Sequence, residues 1–230
     1  MTQGADSHQC VDAAIEETFQ ISRYPATLID VWTNSDGRKL MLRPVLPQDG
    51  PLLADLIDRL SPLSRRYRFH GAVKGLKACT ATAMTTVDYT HHMAFVVSVL
   101  EADGERVIAD ARWCVDKTGD GAEFGLVVDD QWHRQGLGKK LMQALFQTAK
   151  DQGLNWLHGR VVQGNGPMLT LMTACGFSCT PDRHEGSMMY VETSLRPADA
   201  SRRASSWRKL MPWLWRRKAA APVNGSWSMS

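Results

Sequence analysis

The chain has 230 residues, 43% hydrophobic and 22% charged, with a formal net charge of +3. It is long enough to bury a full core in one main domain with extensions. Its longest apolar run, Met93 to Leu100, suits a strand and not a membrane span, and MTQGADSHQCVDAAIEE lacks the basic start and apolar core of a secretory signal, so a cytoplasmic location is expected.

Five cysteines, Cys10, Cys79, Cys114, Cys175 and Cys179, include no Cys-x-x-Cys pair, and seven histidines show no metal-ligand spacing. A disulfide framework, a structural zinc site and a metal enzyme are therefore not expected. Residues 1–35 are polar with one amphipathic patch, Val11 to Ile21, and read as an N-terminal extension, an arm or a disordered leader. Asn34 to Gly37 is a turn that opens a domain expected over residues 36–196. Lys39 to Pro44 alternates as a first strand, with Pro44 confined to its end. Pro47 to Leu60 predicts a helix with Leu52, Leu53, Leu56, Ile57 and Leu60 on one face. Ser61 and Pro62 break it, and Leu63 to Phe69 restarts with Arg65, Arg66 and Arg68 among Tyr67 and Phe69. Taken alone, those arginines fit a solvated helix face.

Ala94 to Leu100 and Arg106 to Val115 predict strands joined by the hairpin turn Ala102 to Glu105. Thr118 to Gly121 turns into another strand, Phe124 to Val128, which Asp129 and Asp130 end. A helix follows, because Leu137, Leu141, Met142, Leu145, Phe146 and Ala149 recur at helical spacing and Gly153 supplies a stop. Between strand and helix lies His133-Arg134-Gln135-Gly136-Leu137-Gly138-Lys139. Glycine leaves the main chain open to a ligand, and first-turn N–H groups lack helical partners, so this turn can cradle a phosphate. A dinucleotide fingerprint would need glycine at Leu141, and a P-loop would need glycine at His133 and Ser or Thr at Lys140. Leu154 to Val162 is a further strand, Asn165 to Met168 starts a short helix, Cys175-Gly176-Phe177 leads into another strand, and Gly186 to Leu195 supplies the last. That order is mixed α/β, with a ligand expected where the sheet meets the Gly-rich turn.

From Lys39 to Leu195 the sequence resembles the GNAT superfamily of acetyl-CoA-dependent N-acetyltransferases. In that family a strand leads into Gln/Arg-x-x-Gly-x-Gly/Ala at the head of a helix, and an Asn-led helix ending in Gly-Phe follows. The stretch Arg59-Leu60-Ser61-Pro62, with Ser64-Arg65, Tyr67, Arg68-Phe69 and Gly71-Ala72-Val73-Lys74, is similar to the GNAT domain of bacterial Pat-type protein lysine acetyltransferases, which acetylate acyl-CoA synthetases. The resemblance implies a mixed, mostly antiparallel central sheet flanked by helices, with acetyl-CoA as acyl donor.

It also implies roles. Main-chain groups of Leu126 and Val128 would pair with the pantetheine amides, and the N–H groups of Arg134, Gln135, Gly136, Leu137, Gly138 and Lys139 would take the pyrophosphate. His133 stands where the family has Gln or Arg. Asn165 would contact the cofactor arm and also fits a plain N-cap ahead of Pro167. Met172 occupies the place of a Tyr that many members use to protonate the leaving thiolate, which excludes a Tyr acid there. An attacking amine must lose a proton, which calls for a carboxylate or water relay within reach. Glu123 is the candidate base, in an Ala122-Glu123-Phe124 stretch resembling the Pat-type strand that carries a catalytic Glu, with its side chain opposite to Phe124 and Leu126. The competing reading pairs Glu123 across to Arg112 on the preceding strand. Asp110 and Asp88 are alternative bases.

The expected activity is direct transfer of acetyl to a primary amine, a protein lysine first and a small-molecule amine as alternative. A non-catalytic acyl-CoA-binding regulatory module is the reading from another class. Residues 196–230 hold eight Lys or Arg and one acid, Asp199, leaving 19 basic and 23 acidic residues in the body. This tail interleaves Trp207, Trp213 and Trp215 with its basic residues, which suits an anionic membrane surface, with nucleic acid or plain solubilisation as alternatives.

Overall fold

The computed structural model describes residues 24–70 and 78–196. They lie in a compact unit that ends at Leu195, apart from Arg196. Its strands are β1 (Asp30–Thr33), β2 (Lys39–Pro44), β3 (His92–Glu101), β4 (Gly104–Val115), β5 (Gly121–Val128), β6 (Trp156–Val162), β7 (Ser178–Pro181) and β8 (Met188–Ser194). Its helices are α1 (Gly50–Arg59), α2 (Pro62–Phe69), α3 (Ala78–Thr85), α4 (Leu137–Asp151) and α5 (Gly166–Ala174). One eight-stranded sheet runs β1-β2-β3-β4-β5-β6-β8-β7. Every neighbouring pair is antiparallel except β5 and β6, so the sheet is mixed and mostly antiparallel, as expected.

The alternation of β4 sorts the layers. Trp113 points to the α4 side, where it is fully buried and its indole N–H donates to Thr148 Oγ at 3.0 Å. Leu137, Leu141, Met142, Leu145, Phe146 and Ala149 all face inward from α4, as their spacing predicts. Phe124 and Phe146 both pack against Phe177, with ring centroids at 5.2 and 5.5 Å. Asp110 and Arg112 point to the other face, where Arg68 of α2 and the Met84 carbonyl of α3 meet them. A helix ends cleanly at each predicted break: Ser61 caps α2 by accepting from Ser64 N–H, and Gly153 follows α4 at φ +76°.

Two elements go beyond the sequence expectation. β1 pairs with β2 from Asp30↔Leu42 to Thr33↔Lys39, so the sheet begins upstream of the Asn34 to Gly37 turn. Its four residues alternate between exposed and half-buried with none in the core, a signal too short to read as a strand. α3 has an Ala- and Thr-rich sequence without apolar periodicity, and it packs beside α1. Among the described residues no helix is long and apolar enough to cross a membrane.

Candidate active site

β5 and β6 run parallel and pair at three positions only, Gly121↔Trp156, Ala122↔Leu157 and Glu123↔His158. Past Glu123 the strands part. Phe124 is the first residue beyond the last pair, and its ring lies where a Cβ at Gly159 would stand, with Cε1 3.0 Å away. β5 stays bonded to β4 as far as Ala109↔Val128, so its other edge, along Leu126 and Val128, faces the fork without a strand partner. A main-chain edge of this kind can pair with an extended amide-bearing ligand.

At the far end of that edge the chain turns into α4. His133 N–H donates to Asp130 O, and Lys140 N–H donates to Gly136 O. Between them, the N–H groups of Arg134, Gln135, Gly136, Leu137, Gly138 and Lys139 have no hydrogen-bond acceptor among the described residues. The helix N-cap is Gly136, with φ +82° and no side chain to cap the first turn. Six consecutive donors at a positive helix end are an anion cradle of main-chain atoms. Gly138 has a second reason to be glycine: a Cβ there would stand 3.0 Å from Leu171 Cδ2 of α5 and 3.7 Å from Leu126 Cδ2. The absent side chain thus lets α4, α5 and β5 close together below the cradle.

The side chains around the cradle are already engaged. His133 places Nε2 2.9 Å from the Val128 carbonyl, so one of the main-chain acceptors expected for the ligand carries an imidazole here. The Gln135 carboxamide is bonded at both ends, and Asn34 of the β1–β2 turn is one of its partners. Asn165 caps α5 by accepting from Met168 N–H at 3.2 Å. Met172 is fully buried, so its side chain belongs to the core.

Glu123 sits at the mouth of the fork, exposed, on the face away from α4. Its cross-strand neighbours are Cys114 and His158, not Arg112. Arg112 instead grips Asp110 through Nε at 3.2 Å and Nη2 at 2.5 Å, so the Glu123–Arg112 pair of the competing reading does not form. Among the described residues the Glu123 carboxylate accepts no hydrogen bond, while its main chain belongs to both ladders. The Cys114 thiol is pushed up by burial and then by the carboxylates of Asp88, Asp116 and Glu123. The Tyr190 hydroxyl is pushed up by burial, Glu192, Asp116 and Glu123, with Arg160 acting against this. Glu123 thus shares its surroundings with the carboxylates of Asp88, Asp116 and Glu192 and with the guanidinium of Arg68.

Asp110 is no free base. Burial pushes its carboxyl up, and Arg112 and Arg68 more than reverse this, holding it below the ordinary carboxylate value. Asp88 accepts main-chain N–H bonds from Thr90, His91 and His92, which hold its carboxyl low against burial. Sequence reasoning missed His158, whose Nε2 lies 3.0 Å from both Asp116 oxygens and whose ring stacks on Tyr190 at 5.7 Å. Nothing local in the sequence marks that group, since it is assembled from the residue after β4 and from β6 and β8.

Residues 67–177 match the acetyltransferase (GNAT) family. Acetyltransferase PA5475 of Pseudomonas aeruginosa is 30% identical over 166 residues, covering 71% of this chain and 89% of that protein. The chain belongs to the GNAT acetyltransferase family. Acetyltransferase Pat of Mycolicibacterium smegmatis is 29% identical over 164 residues, covering 71% of this chain and 48% of Pat, so this GNAT chain spans about half the length of that relative. In fold it resembles the crystal structure of the GNAT domain of S. lividans PAT, with a TM-score of 0.66 at 21% identity, covering 74% of this chain and 99% of that one.

Proposed function

We propose that this GNAT acetyltransferase uses acetyl-CoA as donor and transfers the acetyl group directly to a primary amine, that of a protein lysine. The observation that carries the reading is the position of Glu123. Among the described residues it is an exposed carboxylate without a hydrogen bond, at the last paired register before the strands part, next to an open edge that leads to six amides without an acceptor.

In this reading the pyrophosphate lies on the amides from Arg134 to Lys139 and the pantetheine arm runs along Leu126 and Val128, which brings the thioester to the mouth of the fork. The substrate ammonium is drawn to the carboxylates of Glu123, Asp88, Asp116 and Glu192. Glu123 accepts its proton. The neutral nitrogen attacks the thioester carbonyl, the C–N bond forms, and the C–S bond breaks. The CoA thiolate leaves and takes a proton from water or from the former ammonium, because Met172 offers none. The likeness to Pat supports a lysine of a protein such as an acyl-CoA synthetase over a small amine.

Incubating the purified protein with labelled acetyl-CoA and a cell extract tests this. Label in lysine residues of extract proteins is the expected result. Label only in small molecules moves the acceptor to a free amine, and binding of acetyl-CoA without transfer supports the non-catalytic regulatory module instead. Residues 196–230 lie outside the described residues apart from Arg196. Their composition supports a peripheral contact with an anionic membrane from a cytoplasmic location.

A further inference from the structure

The segment from Asp30 to Arg38 lies outside residues 67–177, the part that matches the family. It nevertheless meets the phosphate turn, Trp132 just before it and the first turn of α4. Asn34 Nδ2 donates to Gln135 Oε1 at 2.5 Å. The Arg38 guanidinium lies 3.9 Å over the Trp132 ring. Lys140 Nζ is 2.7 Å from Asp30 Oδ2 and 4.1 Å from the centre of the Trp32 ring.

The contact with Gln135 is the one that reaches the amides. Gln135 stands between two residues in the left-handed region, Arg134 at φ +60° and Gly136 at φ +82°. Arginine has no steric preference for that region, and such a conformation persists only where the surroundings over-determine it. Gln135 supplies the constraint. Its Oε1 accepts from Asn34, and its Nε2 donates to Gln131 O at 3.2 Å, so both atoms of the carboxamide are tied while its own N–H has no acceptor among the described residues.

We propose that Asn34 is a positioning residue for donor binding: through Gln135 it holds the turn in the one conformation in which the amides from Arg134 to Lys139 converge. This rests on the reading that the acetyl-CoA pyrophosphate lies on those amides. Loss of the tie leaves every ligand-binding atom in place and lowers the population of the binding-competent turn, and the apparent affinity falls by that fraction.

The test is calorimetric titration of wild type, Asn34→Ala, Gln135→Ala and the double variant with two donors, acetyl-CoA and acetyl-pantetheine, which lacks the pyrophosphate. Each single variant is expected to weaken acetyl-CoA about tenfold, the double variant no further, and acetyl-pantetheine binding is expected to stay as in wild type. Asn34→Asp keeps the shape and removes the donor, so it is expected to behave as Asn34→Ala. Equal losses for both donors, additive losses in the double variant, or wild-type affinity throughout would each overturn the role of Asn34. A wild-type protein that binds both donors equally well would instead overturn the placement of the pyrophosphate on the turn.

Discussion

Arg68 of α2 lies against Gly125 of β5 so closely that a Cβ at Gly125 would stand 2.9 Å from its Nη1. The guanidinium is held there by Asp110 Oδ2 at 3.4 Å, and its position needs a strand residue without a side chain. Gly125→Ala must therefore push Arg68 away from a buried carboxylate. Overpacking of this kind costs about 1–3 kcal/mol. Urea denaturation is expected to show a lower midpoint at unchanged slope, and the same midpoint as wild type would mean that the guanidinium moves freely.

Asp110 ties this cluster to acidity. Its folded-state carboxyl titrates below the unfolded one, so its stabilising contribution is complete above the unfolded value, about 3.9, and is lost as pH falls through the folded value. Asp110→Asn removes one partner of a buried network and is expected to cost about 3–5 kcal/mol near pH 7. The same variant should lose less stability than wild type between pH 5 and acid, with Asp88 and Asp130 supplying the remaining slope because hydrogen bonds hold both carboxyls low against burial. Thermal unfolding across pH checks this, and parallel curves for the two proteins would contradict it.

Gly138 separates packing from ligand binding. Gly138→Ala brings a methyl to Leu171, at the end of a flexible side chain, and a small loss of stability is expected with acetyl-CoA binding retained. Gly138→Asp adds a negative charge at the helix start among the unpartnered amides, and acetyl-CoA affinity should fall severely. Calorimetric titration of both folded variants is the measurement. Equal affinity in the two would place the pyrophosphate elsewhere.

Glu123→Gln keeps shape and removes proton acceptance. kcat is expected to drop by about 10²- to 10⁴-fold while acetyl-CoA binding persists. Since Glu123 forms no pair with Arg112, its replacement has no ion pair there to break, and stability should stay near wild type. Full turnover in the variant would remove the base assignment.

What the sequence revealed followed the strength of local signals. The helix α4 was legible because six apolar residues keep its period, and the glycines mark the turn before it. The open edge of β5 was not legible, because it depends on where β6 stops pairing, at Glu123↔His158. Asn34 and Gln135 are 101 positions apart, and nothing near either residue announces the other. The His158–Asp116 pair has the same origin, with each residue on a different strand or its end. Glycine patterns showed where main chain is exposed, while side-chain engagements such as His133 on Val128 O needed the fold.

The tail offers a test that charge alone sharpens. Residues 196–230 hold eight basic residues and one acid, while the remainder has 23 acids and 19 bases. A basic residue near an anionic surface contributes about 1 kcal/mol, and interfacial Trp adds apolar burial, so the full chain should bind anionic vesicles. A chain ending at Leu195 retains the whole described sheet, and it is expected to keep acetyl transfer to small test amines while losing vesicle association. High salt should release the full chain, because screening shortens the reach of its charges. Sedimentation with anionic and neutral vesicles separates the outcomes: equal binding to both identifies an anchor driven by Trp, and binding to neither removes the membrane from the reading of this tail.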